Sequence, residues 1–193
     1  MIGEGFMSAP IVEQGATTRT VYFPGDTWFN FITGEEHKAG SIGTITNQLT
    51  DVAPIFVRNG WMLPIQDTEH VTKTSHLTNK FHLVGGCKVV VDNATTVECV
   101  TKTGILSLGD YESNGDVDRC IREGCDYDIL LTLRIDKESQ EKELTLQTYL
   151  IGGMKNEQSI TEMTFYVEGQ GKVEFVPEEK IAIFQEGVQT FKF

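Results

Sequence analysis

The 193-residue sequence predicts an all-β protein made of two consecutive antiparallel β-sandwich domains, residues 1–79 and 80–193. Short runs rich in Val, Ile, Thr and aromatic residues recur along the chain, separated by Gly, Pro, Asn and Asp at the roughly 8–12-residue spacing typical of sandwiches. With 19 Gly, only 5 Pro and 9% aromatic residues, the composition is that of a folded, strand-rich chain, not a disordered one. No segment sustains apolar residues at i, i+3, i+4 and i+7 behind a cap, so long helices are not expected.

The elements follow in order. Thr18 to Phe23 is β-branched and aromatic, Pro24-Gly25-Asp26 turns the chain, and Trp28 to Phe31 resumes a strand with apolar residues alternating. Thr33 to Glu36 is a polar break, Ile42 to Leu49 is a further strand, and Pro54 to Arg58 is a short buried-type run. Asn59-Gly60 then reads as a tight hairpin turn into Trp61 to Ile65. Gln66 to Asn79 is mostly polar, which sets the domain boundary near residue 80. Phe81 to Val84, Lys88 to Val91, Thr96 to Val100 and Ile105 to Leu108 follow, with Gly85-Gly86, Asp92-Asn93 and Thr103-Gly104 as punctuation. Tyr127 to Ile135, Leu144 to Ile151, Ile160 to Val167, Lys172 to Val176, Lys180 to Phe184 and Val188 to Phe193 continue the pattern. Asp136 to Glu143 carries six charges in eight residues and reads as a solvated turn.

The formal net charge is −12, which disfavours nucleic acid and anionic membranes as partners, because affinity for either comes mainly from Lys and Arg. No run approaches the roughly 18 apolar residues of a membrane span, and Met1 to Pro10 lacks the cationic end of a signal peptide. Four cysteines, Cys87, Cys99, Cys120 and Cys125, suit two disulfides in an oxidising compartment, with four buried thiols as the alternative. Their pairing is open among three connectivities. Asn93-Ala94-Thr95 is an N-glycosylation acceptor sequence and points to the same compartment, so a secreted or lysosomal and endomembrane lumenal location is expected.

Candidate chemistry is sparse. Gly3-Glu4-Gly5-Phe6-Met7-Ser8 has the spacing of a phosphate loop, but no strand precedes it and Pro10 follows, where a helix should open. No G-x-S-x-G elbow, P-loop or H-E-x-x-H occurs. His70, His76 and His82 recur every six residues, a spacing longer than the paired spacings of metal sites. Asp110, Glu112, Asn114, Asp116 and Asp118 alternate around Gly115 like the start of a calcium loop, yet Ile121 stands where the bidentate Glu belongs. Tyr22, Trp28, Phe29, Phe31 and Trp61 are either a sugar-stacking platform or, as the more usual role of aromatics on strands, a sandwich core. No cofactor and no metal is assigned.

Tyr22-Phe23-Pro24-Gly25-Asp26-Thr27-Trp28-Phe29-Asn30-Phe31-Ile32-Thr33-Gly34 resembles the domain that follows the catalytic barrel in glycoside hydrolase family 31, the α-glucosidases and α-xylosidases. Gly3 to Gly15 resembles that family's passage out of the barrel, and Pro54 to Gly60 resembles its P-x-F-x-R-x-G. Past residue 80 the likeness is looser, resting on Thr103 to Glu112. The resemblance implies a parent enzyme that hydrolyses terminal α-glucosidic bonds with retention, through two aspartates on a (β/α)8 barrel. The W-x-D-M-N-E surroundings of the nucleophile are absent, since Trp28 leads into Phe29-Asn30 and Trp61 into Met62-Leu63. No catalytic residue is therefore carried onto this sequence. The implied role is to pack on and stabilise the barrel, with Arg58 and the Pro24–Asp26 turn as structural determinants and the barrel as partner. A free-standing module that stacks α-glucan on Trp28 or Trp61 is the alternative.

Overall fold

A computed structural model describes residues 3–47, 53–66, 80–104, 106–107, 126–151, 159–179, 181–182 and 187–193. The described residues form strands and turns with no helix. Seven strands come first: β1 (Phe6–Ser8), β2 (Thr18–Tyr22), β3 (Trp28–Asn30), β4 (Glu36–His37), β5 (Ile42–Thr46), β6 (Ile55–Arg58) and β7 (Met62–Ile65). Strands β1, β6, β3 and β4 make one sheet in that order, and β2 and β5 make a two-stranded ribbon. Between them lies a core of Met7, Ala9, Val21, Phe23, Trp28, Ile45 and Phe56. The Val21 and Ile45 side chains enter this core while Thr20, Tyr22, Thr44 and Thr46 face out, the period-two alternation of a half-buried ribbon.

The second half supplies β8 (Lys80–Asp92), β9 (Thr96–Lys102), β10 (Leu106–Ser107), β11 (Asp126–Asp136), β12 (Lys142–Ile151), β13 (Ser159–Val167), β14 (Gly171–Phe175), β15 (Ile181–Ala182) and β16 (Gly187–Lys192). The large sheet runs β14-β13-β8-β9-β11-β12-β16, with β7 and β15 added at its sides. Ile129, Leu131, Leu133 and Ile135 alternate along β11 and meet Leu144 and Leu146 of β12 in the larger core. The two ends of this strand order come together, because Phe175 of β14 lies 5.5 Å from Phe191 of β16 and 4.6 Å from Phe193, ring centre to ring centre. The sheet therefore folds over its own interior, as a sandwich does.

Three features depart from the sequence expectation. Gly85-Gly86 does not punctuate: β8 runs unbroken from Lys80 to Asp92. Its first part pairs with β13 and β7, and its last part with β9. Asn59-Gly60 does turn the chain tightly, with Trp61 N–H donating to the Arg58 carbonyl at 3.1 Å, but the flanking strands do not form a hairpin. Only Gly60 has a positive φ, +82°, the pattern of a type II turn, which splays its strands apart instead of pairing them. The turn hands the chain from the first sheet to the second. Finally, β8 and β13 pair in parallel, within a set of ladders that is otherwise antiparallel among the described residues. A bulge between Ile160 and Glu162 then lets both Ile160 and Met163 face the larger core despite their odd separation.

Candidate functional site

Of the residues that the sequence singles out, Phe29, Phe31 and Trp61 meet at the seam where the first sheet packs on β8 and β13, and that seam is apolar at its centre. Phe29, Val57, Val84 and Tyr166 are buried together, with Phe31, Trp61, Leu63 and Ile65 packed around them. Two glycines permit the approach. A Cβ on Gly85 would stand 2.1 Å from the Trp61 carbonyl oxygen and 2.5 Å from Met62 Cα, and one on Gly86 would stand 2.9 Å from Asn59 Cα and Phe29 Cδ2. Gly60 ties the ladders together, its N–H donating to the Gly86 carbonyl (3.0 Å) and its carbonyl accepting from Lys102 N–H (3.2 Å).

Polar contacts rim the seam. The Pro24–Asp26 turn closes with Asp26 N–H on the Pro24 carbonyl (2.8 Å), which also accepts the Trp28 indole N–H (2.8 Å). Asp26 Oδ2 lies 3.1 Å from Lys88 Nζ of β8 and 3.9 Å from Arg58 Nε. Arg58 and the Pro24–Asp26 turn, named as structural determinants from the resemblance, thus meet at Asp26, with Lys88 as a third member. On the other side, Glu168, just beyond β13, accepts from Lys38 Nζ (2.7 Å), Asn59 Nδ2 (3.3 Å) and Thr27 Oγ1 (3.5 Å). Lys38 also pairs with Glu36, and the two carboxylates hold its ammonium above the usual lysine range. Tyr166 donates its hydroxyl to the Phe31 carbonyl at 2.9 Å, and burial raises its pKa. Lys88, Glu168 and Tyr166 carry no sequence motif.

The five aromatics do not assemble into a platform. Trp28 and Phe29 are buried in two different cores, and Phe31 lies in the seam. Trp61 is covered by Gly5 and Gly104, whose Cβ positions would come within 3.0 and 2.9 Å of its ring, and Lys102 Nζ sits 4.5 Å from its ring centre. Tyr22 stands apart, 58% exposed on the outer face of the ribbon, directly opposite Ile42, itself 71% exposed.

Gly3 to Ser8 forms a turn and then β1, with the Gly5 carbonyl accepting from Arg58 N–H at 2.8 Å. These residues build the seam and no helix follows them. His82 bonds Thr164 Oγ1 (3.0 Å) and lies 3.8 Å from Glu162, and burial lowers its pKa despite that carboxylate. His70, His76 and the Asp110–Asp118 segment lie outside the described residues. Among the described residues no group of three His, Cys, Asp or Glu is placed to hold a metal ion. Cys87 and Cys99 form a disulfide between β8 and β9, Cα to Cα 5.4 Å, buried in the larger core. Cys120 and Cys125 lie outside the described residues.

Residues 1–63 match the family model described as "Glycosyl hydrolase family 31 C-terminal domain". "Alpha-glucosidase 2" of Bacillus thermoamyloliquefaciens is 29% identical over 90 residues, 46% of this chain and 11% of that protein. Intestinal sucrase-isomaltase of Rattus norvegicus is 31% identical over 81 residues, 42% of this chain and 4% of that protein. The matches thus span about a tenth or less of these relatives' lengths. In three dimensions the chain is similar to a GH31 dextranase of Flavobacterium johnsoniae solved with glucose, with a TM-score of 0.52, 18% identity and coverage of 86% of this chain and 18% of that one. An uncharacterised protein of Listeria monocytogenes superposes with a TM-score of 0.52 at 17% identity, over 100% of this chain and 18% of its own. The structural likenesses establish a shared fold, and the sequence likeness to the family lies in residues 1–63. Residues 1–63 are thus similar to the C-terminal domain of glycosyl hydrolase family 31, and the rest of the chain shares the fold of solved structures that carry that domain.

Proposed function

We propose that this chain is the non-catalytic post-barrel part of a longer family 31 α-glucosidase, that it packs on the catalytic (β/α)8 barrel, and that it stabilises it. The family match of residues 1–63 carries this reading. Two features support it. The seam commits Gly85, Gly86, Phe29, Trp61, Tyr166, Asp26 and Glu168 to holding one half of the chain on the other, a structural role. Tyr22 and Ile42, paired across the exposed ribbon, offer the apolar surface that packing on a neighbouring domain would bury. In this proposal the parent hydrolyses terminal α-glucosidic bonds with retention, in the secretory or lysosomal lumen, and the chain alone has no turnover.

An antibody raised against the chain tests this on the protein from its natural source. A species several domains in size, with α-glucosidase activity that the antibody co-precipitates, is the expected result. A natural product no larger than 193 residues, or turnover of maltose by the purified chain, would overturn it.

A further inference from the structure

We propose that Asn93 is the attachment site of an N-linked glycan. Asn93-Ala94-Thr95 is the only N-x-S/T triplet in the sequence, and Ala94 is compatible with transfer, which a proline there would block. The structure places it at the exposed tip of the β8–β9 hairpin, where Asn93 N–H donates to the Thr96 carbonyl at 3.0 Å. The side chain divides its two ends between two tasks. Oδ1 caps the turn, accepting from Thr95 N–H (3.0 Å), Thr96 N–H (2.8 Å) and Thr95 Oγ1 (3.2 Å). Nδ2, the atom that carries a glycan, makes no hydrogen bond among the described residues. The turn is thus held by one end of the amide while the other is available.

The tip is also braced from outside. Lys137, at the neighbouring β11–β12 connection, donates its ammonium to the Asn93 carbonyl (2.7 Å) and its backbone N–H to the Thr95 carbonyl (2.8 Å). Modification at Nδ2 leaves these bonds intact. In the transfer, Nδ2 forms a bond to C1 of an oligosaccharide carried on a polyprenyl pyrophosphate. The C1–O bond breaks with its electron pair going to the lipid pyrophosphate, and one Nδ2 proton passes to a base. The product amide keeps one N–H, and Oδ1 keeps its capping role.

A second, independent feature supports passage through a compartment where such a donor works. The Cys87–Cys99 disulfide closes the same hairpin, and structural disulfides form in the oxidising compartments of the secretory route. The inference requires passage through that lumen and does not rest on the α-glucosidase reading.

Translation of the full chain behind a cleavable secretory leader, in the presence of microsomes, tests it. The expected product gains one oligosaccharide, loses it to peptide-N-glycosidase, and shows the accompanying amide-to-carboxylate conversion at position 93 by peptide mass mapping. Asn93→Gln and Thr95→Ala abolish the gain, and Thr95→Ser retains it. The Cys87–Cys99 bond, read in the same digests, reports translocation and folding in every variant. A translocated chain that carries this bond yet gains no glycan overturns the inference, as does a glycan that persists in Asn93→Gln.

Discussion

Gly85 lies against Trp61 with no room for a side chain: a methyl group at its α-carbon would overlap the Trp61 carbonyl oxygen at 2.1 Å. Both partners in that overlap are backbone, pinned by the β7–β8 ladder in which Gly85 pairs with Met62, so neither can swing aside. Gly85→Ala is expected to cost about 3 kcal/mol or more, the upper range for overpacking a tight interior. Urea denaturation followed by circular dichroism checks this, and a loss within about 0.5 kcal/mol, as for an ordinary surface change, would contradict it.

Glu168 gathers Lys38, Asn59 and Thr27 from the first half of the chain onto the end of β13. Asn59 is only 4% exposed, so its Nδ2 loses its carboxylate partner in Glu168→Ala with little water to replace it. A destabilisation of about 1–2 kcal/mol is expected, shared between that buried amide and the more exposed Lys38 pair. Lys38→Ala should cost less than half as much by the same measurement. The reverse ranking would show that the exposed ion pair, not the buried amide, holds the rim.

His37 makes the fold acid-sensitive. Its ring stacks on Phe23 at 4.2 Å and meets Phe56 edge-on at 5.3 Å, and this burial pushes its pKa below 6.5, with Glu35 opposing. Below pH 6.5 the unfolded chain takes up the proton more readily than the folded one. Stability is therefore complete above that value and is lost as pH falls through the depressed folded pKa. His82 adds a contribution of the same sign. Melting temperatures recorded from neutral to mildly acidic pH should decline, and His37→Phe should flatten the decline. An unchanged slope in that variant would assign the effect elsewhere.

The Cys87–Cys99 disulfide closes a loop with a sequence separation of 12. Chain-entropy arguments put its contribution at about 3 kcal/mol. Reduction, or the double substitution of both cysteines by alanine, should lower the unfolding midpoint accordingly. The loss should be similar whether or not Cys120 and Cys125 are replaced.

The alternation of Ile129 to Ile135, and the turn at Pro24 to Asp26, announced themselves in the sequence because each is a local pattern with a local cause. The family resemblance named Arg58 and the Pro24–Asp26 turn as determinants but not their pairing, and Lys88 was invisible beside them because it acts from the other half of the chain. Strand β13 was legible at Ile160 to Val167, but β8 was harder to read. Its central residues, Leu83 to Cys87, are covered on both faces, by the larger core and by the seam, so they lack the alternation that reveals a half-exposed strand. For the same reason Gly85-Gly86 looked like a break. Glycine marks either a turn or a close approach, and only the three-dimensional neighbour Trp61 decides which. Asn59-Gly60 was legible as a turn, but its type depended on Asn59 keeping a negative φ while Gly60 took the positive one.

Strand β8 belongs to two interiors at once, giving Phe81 and Leu83 to one and Val84 to the other. The halves on either side of it consequently cannot melt in turn. Loosening either one strips a wall from its neighbour, so heat or force should bring the whole assembly down in a single step, and a nick within Lys80–Asp92 would be felt at both ends of the molecule.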